Sequence, residues 1–425
     1  MKALTTLVIA LGIVSVSEAR IDVELLSVGT SGNAADTEAT PPRGAVSIAY
    51  RIGKYEVTNA EYAAFLNAVA AQADPNGLFQ AAMAVDPRGG ISRTLTLGVY
   101  RYSTRSQMSN KPVNFVSYFD ACRFCNWLHN NQPTGAQSAA TTEDGVYLMN
   151  AAVVPARKTG ARFFLPTHDE WHKAAYHDPA NASADSTASA NYWNFPTVSD
   201  LSPSRAAATP TGDCANPGPH IANFADGADW NGQNGHVVTV GSCESASFYG
   251  AHDMIGNVSE WVPSTTSPGS AHLLGGSFRT AAAVGKSDAL PTANDGTFEN
   301  ADVGFRLAAR FAPTSICLVD VGDAENAAYS GPGSSSGRGA VSKVYSIGQY
   351  EITNGDYIGF LNSVAKGLTS NGDPHGLYDP SMEADPRGGI DRVTVSNLIT
   401  NYIPRSNMGD KPVNFVSYYD ALRFC

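Results

Sequence analysis

The chain has 425 residues, of which 43% are hydrophobic, with 40 Gly, 24 Pro and a formal net charge of −11. That is long enough for two domains, or for one large domain with further material, and rich enough in apolar residues to bury a core. An acidic chain with no basic stripe repels phosphate backbones, which excludes nucleic acid as an expected partner. Its Asp, Asn and Gly favour hard cations that take oxygen ligands instead.

The first expected element is a secretory signal over residues 1–19. Lys2 gives the positive start, Leu4 to Val16 is apolar, and Ser17-Glu18-Ala19 fits a small-x-small cleavage site, so the mature chain is expected from Arg20. The competing reading is an uncleaved interfacial anchor. The apolar run is short for a membrane span, and no other segment is suited to one. A secreted or periplasmic location follows, in which disulfides are permitted.

Ala45 to Tyr55 reads as a strand. Thr58-x-x-Glu61 is a capping box and opens a helix with Tyr62, Phe65, Leu66 and Val69 on one face. Ser117-x-x-Asp120 opens a second helix carrying Phe124, Trp127 and Leu128, and Thr167-x-x-Glu170 a third with Trp171, Ala174 and Ala175 inward. From Pro179 to Gly241, Asn, Asp, Gly, Ser and Pro predict mostly loops. The pattern is α+β with little regular structure.

Cys214 and Cys243 bracket a Gly/Asn/Asp-rich loop, and a disulfide there is one expectation; sequence does not fix the connectivity. Cys122-x-x-Cys125 lies on the second helix without a further ligand pair, so buried free thiols are expected. Cys317 and Cys425 complete the set.

A long internal repeat organises the chain. Ile52-Gly-Lys-Tyr-Glu56 recurs as Ile347-Gly-Gln-Tyr-Glu351, Asp86 to Ile91 as Asp385 to Ile390, and Lys111 to Tyr118 as Lys411 to Tyr418. This is a domain-length duplication rather than a solenoid. We expect a complete domain over 20–312 and, over 313–425, the N-terminal part of a second copy, in which Cys425 aligns with Cys125.

Several turns carry candidate chemistry. Asp253-Met-Ile-Gly256-Asn-Val258-Ser-Glu260 offers two carboxylates and the Gly256 and Val258 carbonyls around a flexible glycine, four of the six to eight oxygens calcium takes. The alternative is a turn with two solvated acids. His168 and His172 share a helix face, but Asp169 stands where a zinc-protease helix needs Glu, so a surface helix is expected there. No Ser-His-Asp spacing, phosphate loop or nucleotide fingerprint occurs. Arg306 is expected to be a buried arginine paired to a carboxylate.

Taken in order, Gly53-Lys-Tyr-Glu-Val-Thr-Asn59, Pro112-Val113, Leu165-Pro-Thr167 with Glu170-Trp171, Tyr249-Gly250, Gly256-Asn257-Val258-x-Glu260-Trp261, Gly275-Gly276-Ser277 and Gly304-Phe305-Arg306 resemble the formylglycine-generating enzyme, or sulfatase-modifying factor, family. The resemblance covers nearly all of the first copy. It implies an irregular, loop-rich α+β fold of C-type lectin-like kind. It also implies a copper-dependent oxidase that acts on a substrate cysteine through two cysteines of its own.

Those two positions are Thr280 and Gly285 here, and no Cys lies between Cys243 and Cys317. A hydroxyl and a bare backbone do not replace the soft thiolates that Cu(I) favours, so copper is not expected. An aromatic residue of the family is also replaced, by Ser259, whereas Ser277 is kept; these two serines mark the possible substrate cleft. The resemblance makes Asp253, Gly256, Val258 and Glu260 a structural calcium site. A second such site falls on Asn223, Phe224, Asn234 and His236, with Asn234 in place of an acid. A related branch of the superfamily needs a His-rich helical bundle upstream, and only the signal segment precedes this domain.

The expectation is therefore a secreted, calcium-stabilised, non-oxidising binding or accessory module with a peptide or protein partner. The alternatives are a formylglycine-generating oxidoreductase acting on exported sulfatases, and a lectin-like recognition domain.

Overall fold

The computed structural model describes residues 20–30, 32–150, 153–181, 191–264, 269–310, 318–332, 338–368, 372–395 and 398–425. The expected signal segment and Cys317 lie outside them. In chain order the first unit contains β1 (Leu25–Val28), β2 (Tyr50–Gly53), α1 (Asn59–Val69), α2 (Ala82–Val85), β3 (Ile91–Thr96), β4 (Val99–Thr104), α3 (Tyr118–His129), β5 (Phe163–Phe164) and α4 (His168–Tyr176). It continues with β6 (Ser204–Arg205), β7 (Ile221–Ala222), β8 (Ser259–Pro263), β9 (Ala271–Leu274), β10 (Thr292–Asn294), β11 (Val303–Gly304) and β12 (Ala308–Ala309).

The three capping boxes read from the sequence all form. Thr58, Ser117 and Thr167 each accept the N3 amide, while Glu61, Asp120 and Glu170 reach back to the cap amide. Two otherwise unpaired donors are satisfied at each helix start. The strand expected over 45–55 is shorter, Tyr50–Gly53.

α1 and α3 meet through aromatic rings. Tyr62 stacks on Phe124 at 6.0 Å, Phe65 lies edge-on to Phe124 at 5.3 Å, and Phe305 from the far end of the unit closes on Phe124 at 5.4 Å. Rings of this size bury roughly 150–250 Å² each, so this cluster dominates the core.

Two four-stranded sheets flank these helices, ordered β1-β2-β12-β5 and β10-β9-β8-β11. In the first, β12 is wedged between β2 and β5, pairing Ala308 with Ile52 on one side and with Phe164 on the other. The sheet is thus complete only when residues from both ends of the unit are present.

α4 corrects one expectation. It is not a surface helix: His168 and every residue from Glu170 to Tyr176 are buried. The segment before β2 wraps what would have been its wet face. Asp36 meets His172 at 3.0 Å, the Thr30 carbonyl accepts from Lys173 Nζ at 2.8 Å, and the Tyr50 hydroxyl donates to the Glu170 carbonyl. Cys122 and Cys125 are buried free thiols. Cys214 and Cys243 share a small buried cluster with Ala206, Ala228 and Val238 but remain thiols.

A second set follows: β13 (Leu318–Val321), β14 (Tyr345–Gly348), α5 (Asn354–Val364), β15 (Gly367–Leu368), α6 (Ser381–Ala384), β16 (Ile390–Val395), β17 (Leu398–Pro404) and α7 (Tyr418–Phe424). It has a core of its own around Tyr357, Leu361, Met382 and Tyr402. No helix among the described residues is long and apolar enough to cross a membrane.

The burial of α4 has a consequence for pH. Burial, helped by the Arg43 charge, holds His168 down to about 2, and burial with nearby Lys173 holds His177 down to about 3. A depressed folded value means that the unfolded chain binds the extra proton, so this stability is present above about pH 6.5 and is lost as pH falls toward those values. Asp120, raised to about 6 by burial, acts in the opposite sense below pH 6. In urea titrations from pH 7 to pH 4, His168→Leu is expected to lose less stability than wild type, by up to about 1.4 kcal/mol per pH unit. An unchanged difference across that range would contradict it.

Candidate functional site

The sequence-predicted residues converge near the end of β8, where the turn 253–258 leads into the strand. Asp253 and Asn257 both have left-handed φ values, 56° and 55°. Gly256 is also left-handed (φ 82°), and a Cβ there would overlap the Asn223 carbonyl oxygen, so this position requires glycine.

Glu260 projects from β8 into a dry centre and is already paired there. Arg306 Nε donates to both of its oxygens, at 3.1 and 3.0 Å, and Nη2 donates to Oε1 at 2.8 Å. Trp171 Nε1 from α4 donates to Oε2 at 2.7 Å. The remaining guanidinium donors reach the Gly53 and His252 carbonyls. The side chains of Arg306 and Glu260 are 0% and 2% exposed, so the pair is shielded from bulk solvent. The expected buried, carboxylate-paired arginine is present, with Glu260 as the partner.

Two further carboxyls surround this pair. Asp253 accepts from the Gly241 amide at 2.6 Å and is pushed up to about 6 by burial. Glu56 is buried, and neither of its oxygens meets a donor from another residue. Burial and the nearby Asp253 charge push it well above the usual carboxylate range. Sequence reasoning missed Glu56 as a site residue, because an acid between Tyr55 and the Thr58 helix cap gives no local sign of burial.

The fit to calcium differs between the two expected sites. At 253–260 the acids are buried rather than solvated, but Glu260 is saturated by Arg306 and Trp171. It has no oxygen lone pair directed at an ion without breaking that pair, so the four-ligand set does not fit as drawn. At the second site Asn223 Nδ2 donates to the His236 carbonyl at 2.8 Å, which brings those two residues together. Asn223 Oδ1 is buried without a hydrogen-bond partner, the kind of orphaned acceptor a cation would satisfy. The Phe224 carbonyl accepts from the Gly227 amide. Asn234 is exposed, and its carbonyl is held by Arg88. Asp229 accepts from the Gly235 amide at 2.7 Å, and Asp226 packs against Gly235, so two acids stand in the loop where the sequence suggested a lost charge. The spacing between Asn223 and these aspartates held that information, hidden by the glycine-rich context.

The positions of the two family cysteines are built as structure. Thr280 Oγ1 accepts from the Ser277 amide at 2.8 Å and donates to the Ser277 carbonyl at 3.1 Å, closing a turn on itself. Gly285 is buried in a short 3₁₀ turn, where a Cβ would overlap the Ile255 side chain. A thiolate pair does not fit here. Ser277 and Ser259 are brought together by Asp302, which accepts from Ser277 Oγ at 3.0 Å through its side chain and from the Ser259 amide at 2.9 Å through its carbonyl. Both serines are buried. His168, Glu170 and His172 are not joined: Glu170 pairs with Arg157 and His172 with Asp36. Among the described residues no group of three His, Cys, Asp or Glu is placed to hold a metal ion.

The sulfatase-modifying factor enzyme 1-like domain profile matches residues 8–311. The chain belongs to this family. Three solved structures are similar to this sulfatase-modifying-factor domain. CarF is 18% identical, over 68% of this chain and 98% of its own, with a TM-score of 0.39. Treponema denticola variable protein 1 is 18% identical, over 69% and 97%, with a TM-score of 0.41. PvdO from Pseudomonas aeruginosa is 16% identical, over 69% and 96%, with a TM-score of 0.37. No curated protein matches the chain.

The buried pair at the centre is open to a direct test. Arg306→Met strands the Glu260 charge and should cost about 3–5 kcal/mol in urea unfolding. The double variant Glu260→Met with Arg306→Met should recover much of that loss. Equal losses in the single and double variants would show that the site tolerates an unpaired acid.

Proposed function

We propose that this chain is a non-oxidising member of the sulfatase-modifying factor family: an exported, calcium-stabilised binding or accessory module for a peptide or protein partner. The observation that carries the reading is position 285. A cysteine is not only absent there: its Cβ would meet the Ile255 side chain, which would have to move. The Thr280 hydroxyl, spent on its own turn, supports the same conclusion. Copper held by two thiolates would require both positions to be rebuilt. The retained Gly275-Gly276-Ser277 segment, with Ser277 held by Asp302, keeps the family's scaffold without its sulfur ligands.

The purified protein is expected to bind no stoichiometric copper and to take up no oxygen with a cysteine-containing peptide. Thr280→Cys with Gly285→Cys should also fail to assemble a copper site, and should destabilise the fold by overpacking Ile255 by about 1–3 kcal/mol. Stoichiometric copper with thiol-dependent oxygen uptake by the wild-type chain would refute the reading.

Calcium is assigned to the Asn223 loop, with Asp226 or Asp229 supplying charge. A chelator should lower the melting temperature of wild type but not of Asn223→Ala. Glu260→Ala should lower it equally with and without chelator, because that acid serves Arg306. A chelator effect that survives Asn223→Ala would move the ion elsewhere.

Export predicts a further observable. The Cys214 and Cys243 thiols lie against each other in a small apolar cluster, and in an oxidising compartment they should join. Peptide mapping of protein recovered from the periplasm or medium, without reductant, should show the 214–243 cross-link; free thiols at both positions there would overturn the expected disulfide.

A further inference from the structure

One region of this acidic molecule is strongly positive. A cavity of about 350 Å³ opens between residues 20–25, the end of α3, β2 and β5. Among the described residues that line it, Arg20, Arg51 and Arg162 carry guanidinium groups and Asp22 alone carries an acid. The chain as a whole has a net charge of −11, so this local excess runs against the rest of the molecule.

The walls are fixed by hydrogen bonds and by sheet register. The Gln132 side chain accepts from the Ile21 amide at 2.8 Å and donates to the Ile21 carbonyl at 2.9 Å, which pins the N-terminal segment to the end of α3. Arg51 and Phe163 lie in one row of the sheet, on either side of Ala309. Strands one apart from neighbours stand about 10 Å from each other, so the charge of Arg51 and the ring of Phe163 are a small molecule's length apart. Leu128 and Phe163 give the cavity an apolar side.

The guanidinium groups are weakly engaged. Arg51 Nη1 meets Asp410 at 3.4 Å, and that acid is 89% exposed, which makes a weak pair. Arg51 Nε is buried and has no hydrogen-bond acceptor, an uncommon state for a buried donor. Arg162 Nη1 makes a long bond, 3.4 Å, to the neutral Asn131 side-chain oxygen. The positive field reaches His129, whose ring is lowered by burial and then by the Arg162 and Lys158 charges. The second unit does not repeat the arrangement, since Ser346 stands in the place of Arg51.

We propose that this cavity binds a small organic acid, with its carboxylate held by Arg51 and Arg162 and its apolar body laid against Leu128 and Phe163. A planar guanidinium matches a carboxylate through two parallel bonds, and Arg51 Nε supplies a donor that has no other use. The volume lies at the low end of the roughly 300–1,000 Å³ of small-molecule sites. The apolar side selects an organic acid over an inorganic oxyanion, whose water it would strip without return.

The test is calorimetric titration of the full chain with three probes: phenylacetate, its neutral amide phenylacetamide, and inorganic phosphate. Phenylacetate should bind saturably at one site, and the other two at least about tenfold more weakly. Arg162→Met, at an exposed position, should weaken phenylacetate by about tenfold and leave the melting temperature unchanged. Arg51→Lys should weaken it similarly, because lysine keeps the charge and loses the fork. Equal affinity for phenylacetate and phenylacetamide overturns the proposal, as does phenylacetate binding that both variants leave intact. No saturable binding up to about 10 mM phenylacetate also overturns it. Phosphate binding tighter than phenylacetate does so too, since the site would then serve an inorganic oxyanion.

Discussion

A guanidinium sealed away from water must find every acceptor it needs within the protein, and Arg306 finds them in three separate parts of the chain. Glu260 on β8 supplies the charge, the Gly53 carbonyl closes the end of β2, and the His252 carbonyl fixes the turn before β8. Trp171 joins α4 to the same carboxylate. Remote segments are thereby held to one point by directional bonds rather than by apolar contact alone. Because the alternative arrangement leaves a bare charge in the interior, the pair specifies one register for all of them. Burial raises the carboxyls of both Glu56 and Asp253, drawn in beside it, above the usual carboxylate range.

Much of this was written locally. The capping boxes at Thr58, Ser117 and Thr167 placed three helices because their chemistry lies within four residues. The buried Arg306 was also legible, since an arginine flanked by Phe305 and Leu307 has no wet side to turn to. What sequence could not supply was covering by distant segments. α4 reads as half polar, and it is buried because residues 30–50 return across it, with Asp36 meeting His172. The partner of Glu260 was hidden for the same reason. An acid in a turn beside a glycine looks like a cation ligand until the arginine 46 residues later is placed against it.

The region that would carry oxidation in this family is structurally complete without sulfur. Thr280 closes the turn after Gly276, and the backbone at Gly285 lies against Ile255. The substitutions are thus integrated with their neighbours: restoring one atom at either place would disturb packing or a hydrogen bond that the present sequence uses. The Asn223 loop shows the converse. There a buried oxygen remains without a partner while two aspartates stand in the same loop.

The wedge of β12 between β2 and β5 sets a delay during synthesis. β2 is made early, yet its neighbour Ala308 emerges about 250 residues later. At roughly 5–20 residues per second, the open edge of β2 waits on the order of 10–50 s for its partner. Contacts so distant in sequence also slow folding, since loop closure must precede their reward. The similar strand Tyr345–Gly348 is made only after Ala308, so β2 meets β12 before that second edge exists. Order of emergence therefore gives β2 first access to β12.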